Sequence, residues 1–476
     1  MKKILTTHQV AERAQVHRDT LLRWLRGGRV REPARNRNGW RIFTPAEAKA
    51  IVRYAQSSQE SIPGARSRDI LPSYTTTPVA KLMQLDWDFR EANTGYLTHS
   101  FHPYPAKFIP QIPNTLIQEL SSVGDTVFDP FCGSGTSLVE ALLLKRNTIG
   151  VDANPLACLI ARAKTTRLTQ SDIERLRQLE TQATELAHQQ LFTTLPLFPD
   201  LKYGSAPIIR PTFEGIDFWF EPHVTDELAM LKGLCLAVES EGPRHIALTV
   251  FSSIIIAVSR QDSDTRYVRR EKNIQPGEVI QRFVRSLDSA ITRATEFTEL
   301  TEPRFTCRLI HANTLDEPEV GTVDLVVCSP PYPNAYSYHL YHRTRMLWLD
   351  MDQPTFKHVE IGSHRKYSQK GERAASANTF RVELRQILAW LRSCLRPGGY
   401  ACFVIGDSIL KGQLIHNDQV LTKVATEIGY GVEANLKRRL QDSRKSFNPV
   451  IGRIREEHIV ILRNEGGSDV ETRTAL

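Results

Sequence analysis

The sequence predicts an α/β fold built on a Rossmann-type sheet, with a small N-terminal domain before it and a mainly helical insertion within it. Three observations lead to this class. A strand, a glycine-rich turn, a helix and a second strand follow one another between residues 126 and 152. Short apolar runs typical of buried strands recur at 324–328, 400–406 and near the C-terminus. An Arg-rich segment opens the chain and differs in composition from the rest.

Length and composition narrow the class of protein. At 476 residues the chain has room for two or three domains, each able to bury a core. Its longest apolar run, 246–258, contains Thr and Ser and is too short to span a bilayer, so we expect no membrane association. The seven cysteines are scattered without C-x-x-C spacing, which favours a cytoplasmic protein without a metal site or disulfides.

The positive charge of the chain is concentrated at its start. The whole chain has a net charge of +8, whereas residues 1–53 hold 13 basic and four acidic residues, a net charge of +9. The remaining residues are therefore about neutral. Such an asymmetry indicates a polyanionic partner, most simply nucleic acid.

Residues 1–56 have the pattern of a helix-turn-helix with a wing. Two short helices and a hairpin, "NGWRIF" (38–43), are predicted, followed by a helix that Thr44 and Glu47 cap. This order resembles the winged helix-turn-helix domains of MerR-like regulators and excisionases. The resemblance implies DNA contacts from Arg18, Arg23, Arg26 and Arg41. A docking domain for another protein is the alternative, and residues 57–80 are predicted to be a linker.

The segment "GDTVFDPFCGSGTSLVEALLLKRNTIGVDANP" (124–155) is predicted to place a ligand at the carboxyl ends of two parallel strands. A dinucleotide is disfavoured, because Leu138 stands where the third glycine of its fingerprint belongs and Asp129 would repel a pyrophosphate. Asp129 suits a positively charged group instead, and Asp152 suits ribose hydroxyls. S-adenosylmethionine has both features, which makes it the expected cofactor.

The same segment resembles motif I of the amino-directed DNA methyltransferases, D-P-F-x-G-S-G-T, at every fixed position. "HSFHPYPAKFIP" (99–110) resembles the motif X of that family, and Asn313 follows a predicted third strand. The resemblance implies a Rossmann-type methyltransferase that uses S-adenosylmethionine. It implies cofactor contacts from Asp129, Phe131, Gly133, Ser134, Gly135, Thr136, Asp152, Asn313, Lys107 and Phe108.

The stretch "VVCSPPY" (326–332) resembles the catalytic motif IV of the family, here in its Ser form, and implies catalytic roles for Ser329, Pro330, Pro331 and Tyr332. The amino group of a nucleobase is a poor nucleophile, because its lone pair is delocalised into the ring. Acceptors on its two N–H bonds, such as the Ser329 hydroxyl and the Pro330 carbonyl, would draw it toward a tetrahedral geometry. Tyr332 offers a face for a base extruded from double-stranded DNA.

Several substrates remain open at this point. Methylation of a ring carbon is disfavoured, because the chain has no Pro-Cys pair to supply the nucleophile. Within the family the Ser form of motif IV favours cytosine N4 over adenine N6. An RNA-base methyltransferase and a DNA-binding regulator with an inactive methyltransferase body are lower alternatives. A cognate restriction endonuclease or a defence-system partner would suit a site-specific DNA methyltransferase.

The motifs set the expected domain order. Residues 81–166 and 301–465 form the two parts of the catalytic core, and residues 466–476 form a tail. Residues 167–300 form a helical insertion that would recognise the target site in DNA. The alternative is that this insertion serves only as a structural cap. Candidate DNA contacts outside the N-terminal module are Arg266 and Arg269 in this insertion, and Arg365 and Lys366 in a polar segment, 360–379, expected to be a loop.

Overall fold

The structure, a computed structural model, describes most of the chain. The described residues are 5–14, 21, 24–25, 29–35, 41–60, 77–90, 92–105, 107, 109–193, 207–333, 337–368, 375–410, 412–440 and 456–466. They divide into two compact units, Met1–Thr75 and Thr76–Leu476.

The first unit contains a small antiparallel sheet and two described helices. Strands β1 (Leu5–Thr6), β2 (Ala34–Arg35) and β3 (Arg41–Phe43) pair in the order β1-β3-β2. The described helices are Thr7–Arg13 and Pro45–Glu60. Thr44 and Glu47 cap the second helix as predicted: the Glu47 carboxylate accepts from the Thr44 N–H at 2.8 Å, and the Thr44 hydroxyl accepts from the Glu47 N–H at 3.3 Å.

The second unit is built on a seven-stranded sheet. Its strands are β4 (Thr126–Asp129), β5 (Asn147–Asp152), β8 (Cys307–His311), β9 (Val323–Cys328), β10 (Leu395–Gly406), β13 (Tyr430–Arg439) and β14 (Glu456–Asn464). They lie in the order β13-β14-β10-β9-β4-β5-β8. All pairs from β10 to β8 are parallel, whereas β14 runs antiparallel to both neighbours. The α/β prediction is confirmed.

This strand order fixes where a ligand can bind. The chain passes from β4 through β5 to β8 on one side and then returns to β9 on the other side of β4. The connections therefore diverge between β4 and β9, and a crevice opens there outside the carboxyl ends of the strands. Motif I follows β4 and motif IV follows β9, so both border this crevice.

Apolar side chains alternate across the sheet and bury both of its faces. Phe128, Val326 and Phe403 lie in one buried cluster with residues of the helices Ala377–Cys394 and Asn417–Glu427. Val127, Leu325 and Val404 lie in another buried cluster, with residues of the helix Gln111–Leu120. Helices Thr136–Leu143 and Pro155–Thr165 follow β4 and β5. A sheet covered in this way is typical of α/β folds.

Between the helix Pro155–Thr165 and β8 the chain is mainly helical. The helices are Gln170–Thr193, Ile216–Trp219, Pro222–Leu236, Glu241–Val258 and Glu278–Leu300. They share a buried core that includes Leu176, Leu228, Val250 and Phe283. A two-stranded hairpin, β6 (Gln261–Ser263) and β7 (Arg266–Arg269), separates the last two helices. No helix among the described residues is long and apolar enough to cross a membrane.

The remaining elements are short. They are the helices Pro78–Leu82, Tyr338–Tyr341, Arg343–Trp348, Gln353–Val359 and His364–Ser368, the 3₁₀ helices Leu97–Ser100 and Thr314–Asp316, and the antiparallel pair β11 (Ser408–Leu410) and β12 (Gln413–Ile415). The expectation of a loop at 360–379 is thus wrong in part, because residues 364–368 and those from Ala377 onward are helical. A capping box of Ser376 and Thr379 starts the second of these helices.

Candidate active site

The glycine-rich turn after β4 is constrained both by its backbone and by packing. Gly133 and Gly135 have φ angles of 49° and 79°, in the left-handed region that other residues rarely adopt. A Cβ atom on Gly135 would lie 3.0 Å from the Cβ atom of Ala161 in the helix Pro155–Thr165. The turn therefore lies directly against that helix. Thr136, buried, is the first residue of the helix that follows.

Two carboxylates hold this turn from opposite ends. Asp129 accepts hydrogen bonds from the Phe131 N–H at 3.0 Å and from the Ser137 hydroxyl at 2.6 Å. Asp152, at the end of β5, accepts from the Gly133 N–H at 2.8 Å. Burial raises the pKa of Asp129 to about 7 and that of Asp152 to about 6, because desolvation outweighs these hydrogen bonds. A cationic or hydroxyl-bearing ligand would favour the ionised form of both groups.

Ser329 directly follows β9, the strand next to β4, which leads into the glycine turn. Strands β4 and β9 pair in parallel, with Val127 opposite Leu325. Asp129 ends β4 and Ser329 follows the neighbouring strand β9, so both lie at the same edge of the sheet, with Ser329 two residues further along in the register. The Ser329 hydroxyl donates a hydrogen bond to the backbone oxygen of Val404 in β10 at 3.0 Å. This bond orients the hydroxyl and leaves its lone pairs available as acceptors.

The loop of two prolines is packed from outside. Tyr332 is partly buried against the core of the sheet. Gly362, at a φ of 73°, lies so close that a Cβ atom there would be 2.9 Å from the Tyr332 carbonyl oxygen and 3.2 Å from the Pro331 carbonyl carbon. The close contact explains why glycine stands at 362. Pro330 and Pro331 are thus fixed by their rings and, at Pro331, by a neighbouring backbone.

The aromatic segment before motif I covers the glycine turn. The ring of Tyr104 would lie 3.6 Å from a Cβ atom on Gly133. Tyr104 also stacks on Tyr338, with ring centroids 5.6 Å apart, and its centroid lies 5.0 Å from that of His342. Asn154 donates to His342 at 3.1 Å and so connects the end of β5 to the same aromatic group. Residues from three parts of the chain therefore enclose one side of the turn.

Two lysines contact the aromatic segment and the glycine turn. Lys107 donates to the His99 carbonyl oxygen at 2.8 Å, and burial lowers its pKa. Lys164 is fully buried, donates to the Ser134 hydroxyl at 3.1 Å, and has a pKa held well below its usual value by burial and by Lys107. Among the described residues no carboxylate offsets the charge of Lys164. Because burial disfavours its charged form, an anionic group of a ligand would stabilise Lys164 as an ammonium.

Sequence reasoning missed Lys164 as well as a buried acid behind the turn. Glu140 accepts hydrogen bonds from Tyr96 at 2.6 Å, His99 at 2.6 Å and Asn114 at 2.7 Å. It ties the aromatic segment to the helix that follows the turn. A lysine in the last turn of a helix is usually solvent-exposed, and the partners of Glu140 are 26 to 44 residues away, so neither gives a local signal.

Asn313 and Phe108 are the remaining predicted cofactor residues. The Asn313 side chain accepts from the Leu315 N–H at 3.1 Å and caps a 3₁₀ turn, so its contact with a cofactor stays a prediction. That turn touches the glycine loop, because Thr314 donates to the Pro130 carbonyl oxygen at 2.7 Å. Phe108 lies outside the described residues.

The predicted DNA contacts are distributed over both units. Where their side chains are described, they lie near acids of the same chain: Arg41 at 2.7 Å from Glu32, Arg266 at 3.5 Å from Asp262, Arg269 at 2.6 Å from Glu271, and Lys366 at 2.6 Å from Glu383. Arg18, Arg23 and Arg26 lie outside the described residues, and for Arg365 only the helical backbone is described. Exposed pairs of this kind are weak and can exchange for phosphate.

Part of the chain matches a family model, and longer stretches are similar to type II methyltransferases. Residues 33–163, which include motifs X and I, match the family model N6_N4_Mtase, described as DNA methylase. The type II methyltransferase M.MvaI of Kocuria varians is 24% identical over 432 residues, covering 79% of this chain and 93% of the relative. M.MjaII of Methanocaldococcus jannaschii is 40% identical over 101 residues, 20% of this chain and 18% of the relative. M.BsoBI of Geobacillus stearothermophilus is 22% identical over 56% of both chains.

These similarities support a DNA amino-methyltransferase. The fold and the family match likewise support S-adenosylmethionine as the cofactor. The residues present fit that cofactor on two counts. The carboxyl groups of Asp129 and Asp152 suit the positively charged and hydroxyl groups of the cofactor. The buried Lys164 has no anionic partner among the described residues and suits an anionic group of the cofactor.

Proposed function

We propose that the protein transfers a methyl group from S-adenosylmethionine to the exocyclic amino group of a base extruded from double-stranded DNA, with cytosine N4 as the target atom. One observation carries the proposal. The Ser-Pro-Pro-Tyr loop leaves β9 at the same sheet edge where the glycine turn leaves the neighbouring strand β4. A base acceptor loop and a cofactor turn thus border one crevice.

Ser329 has a defined part in this proposal. Its proton is donated to the Val404 carbonyl oxygen, so the hydroxyl faces a substrate as an acceptor. An amino group that donates one N–H to Ser329 and the other to the Pro330 carbonyl is drawn toward tetrahedral geometry. Its lone pair then becomes available for attack. Because the proline rings and Gly362 fix the loop beforehand, little reorganisation is needed when the base arrives.

The choice of cytosine N4 rests on Ser329. An aspartate at this position would place a negatively charged acceptor beside the base, whereas serine is neutral and smaller. The Ser form of the motif favours N4-cytosine enzymes in the resemblance that the sequence shows, and adenine N6 is the alternative. Tyr332 is the proposed stacking face for the base in either case.

Cofactor binding is assigned to the residues around the turn. S-adenosylmethionine, when bound, supplies an electrophilic methyl group on a sulfonium centre. We assign Asp129 to its positively charged end, Asp152 to its ribose hydroxyls, and Lys107 and Lys164 to its carboxylate. The aromatic group of Tyr104, Tyr338 and His342 is positioned to exclude water from that end of the pocket.

We further propose that the basic N-terminal unit is a winged helix-turn-helix that holds the DNA and that the helical insertion recognises the target site. The net charge of +9 over residues 1–53 supports the first assignment. The hairpin β6–β7 presents Arg266 and Arg269 and supports the second. Type II relatives make a cognate restriction endonuclease the proposed biological partner.

The proposal is tested with the purified full-length chain, labelled S-adenosylmethionine and genomic duplex DNA. We expect label in DNA and not in RNA offered in parallel. Nucleoside mass spectrometry is expected to find N4-methylcytosine, while N6-methyladenine would establish the alternative target. The variant Tyr332→Ala should bind the cofactor normally and lose transfer, and undiminished transfer by this folded variant would refute the assignment of the loop.

A further inference from the structure

A cluster of acidic and imidazole side chains lies one strand away from the proposed catalytic loop. Asp407 follows β10, Asp418 lies in the first turn of the helix Asn417–Glu427, and His458 lies in β14. One potential ligand atom from each residue lies within 4.8 Å of the other two. Atoms held by one ion at about 2.0–2.6 Å lie within roughly 5 Å of each other, so the spacing suits a single cation.

Unpartnered oxygen atoms in and beside the cluster distinguish it from an ordinary group of surface acids. Oδ1 of Asp407, Oδ1 of Asp418 and Oδ1 of Asn417 are buried and accept no hydrogen bond from any residue that the structure describes. Asp418 is 5% exposed and Asn417 is fully buried. Leaving such acceptors without a partner costs about 1–3 kcal/mol each, and more for charged groups. The Oδ2 atoms lie against imidazoles, 3.2 Å from Nδ1 of His416 for Asp407 and 3.3 Å from Nδ1 of His458 for Asp418, so a bound cation would satisfy the Oδ1 atom of each carboxylate.

Neighbouring side chains hold the three residues in place. The Asn435 amide donates to Asp418 at 2.8 Å, and its oxygen accepts from Nδ1 of His458 at 2.9 Å. Nδ1 of His458 also lies 3.3 Å from Oδ2 of Asp418, so this nitrogen faces the cluster and would exchange its contact with Asn435 for the ion. Asn417 donates to the Gly406 carbonyl oxygen at 2.8 Å and to the Ser408 hydroxyl at 2.6 Å, which fixes the backbone on both sides of Asp407.

We propose that Asp407, Asp418 and His458 bind one divalent cation of the Mn²⁺ class. Two carboxylates favour a hard cation, and one imidazole favours a transition metal over Ca²⁺. The ion would tie the end of β10 to β14 and to the helix Asn417–Glu427. Because β10 also carries the Val404 oxygen that orients Ser329, the ion would stiffen one wall of the crevice. No local sequence spacing marks this cluster, since its members lie on three separate elements.

The test uses the full-length chain, stripped with a chelator and titrated with Mn²⁺ alone, with free Mn²⁺ followed by electron paramagnetic resonance. We expect about one bound ion per chain and a rise in the melting temperature on binding. Asp418→Asn and Asp407→Asn should each weaken binding by roughly 100-fold, the upper end of what losing a partner of a metal ligand costs. Glu433→Gln, which removes a surface acid two residues from Asn435, should leave binding unchanged.

Two outcomes would overturn the proposal. One is that the folded wild-type chain takes up no Mn²⁺ at millimolar concentration, and the other is that the wild type and the two Asp variants bind it equally. Asp407 is the safer substitution, because it lies after the strand end and is partly exposed, so the variant retains the buried Asp418–Asn435–His458 contacts. The readout is binding, so its failure would leave the proposed methyl transfer untouched.

Discussion

Replacing Ser329 with Ala separates the chemistry of the proposed site from its stability. The substitution removes one hydroxyl, and in the protein alone it costs the hydrogen bond to the Val404 carbonyl oxygen, about 1 kcal/mol of unfolding free energy. In the reaction it also removes an acceptor aimed at the amino group. Losing one preorganised hydrogen-bonding group of this kind lowers kcat by about 100- to 1000-fold. We therefore expect a folded protein with nearly normal cofactor affinity and very slow transfer.

The assay is single-turnover methyl transfer to duplex DNA, with cofactor affinity measured by calorimetry and stability by urea unfolding. Ser393→Ala is a matched control, because the Ser393 hydroxyl likewise donates to a backbone oxygen, that of Trp390 at 2.7 Å, far from the sheet edge. The control should lose a similar amount of stability and no activity. Wild-type turnover by Ser329→Ala would refute the role given to the hydroxyl.

Three further predictions concern the cofactor turn. Gly135→Ala should lower the unfolding free energy by about 2–4 kcal/mol, because the strain of a positive φ adds to a 3.0 Å contact with Ala161. Gly277 has a φ of 82° but lies in open space, so Gly277→Ala should lower the unfolding free energy by only about 1–2 kcal/mol. Both values are measured by urea unfolding. The pKa of Asp129 is raised from 3.8 to about 7 in the folded protein, so between these pH values the carboxyl group is protonated in the folded state and ionised in the unfolded state. The free energy of unfolding therefore falls as the pH rises from about 4 to 7. Urea unfolding at pH 5 and 8 should show a smaller fall in Asp129→Asn; an equal fall would contradict this. Lys164→Met should weaken cofactor binding by about tenfold without unfolding the protein, and unchanged affinity in calorimetry would remove Lys164 from the pocket.

The regular part of the fold was accessible from the sequence because its signals are local. The strand, turn, helix and strand predicted between 126 and 152 are present, and the strand that contains the apolar run 324–328 begins one residue earlier, at Val323. Gly133 and Gly135 marked the turn because their positive φ angles are a property of a few consecutive residues. Buried parallel strands are continuous apolar runs, which a sequence shows directly.

The details of the pocket were not accessible, because they depend on contacts between distant segments. Tyr104 contacts Tyr338 and His342, which lie more than 200 residues later in the sequence. The sequence around these three residues gives no local sign of the contact. Lys164 looks like an exposed lysine at a helix end until the packing around Ser134 is known. Gly362 lies in a polar segment expected to be a loop, yet its contact with the Pro331–Tyr332 backbone accounts for its identity.

The central claim, that one crevice brings a methyl donor to the amino group of a DNA base, is tested most directly by isotope tracing. Duplex DNA is incubated with the full-length chain and methyl-labelled S-adenosylmethionine, digested, and analysed by mass spectrometry. The label should appear on the exocyclic nitrogen of cytosine and be incorporated about 100- to 1000-fold more slowly with Ser329→Ala. Label found at carbon 5 of cytosine, or transfer to RNA with none to DNA, would contradict the account.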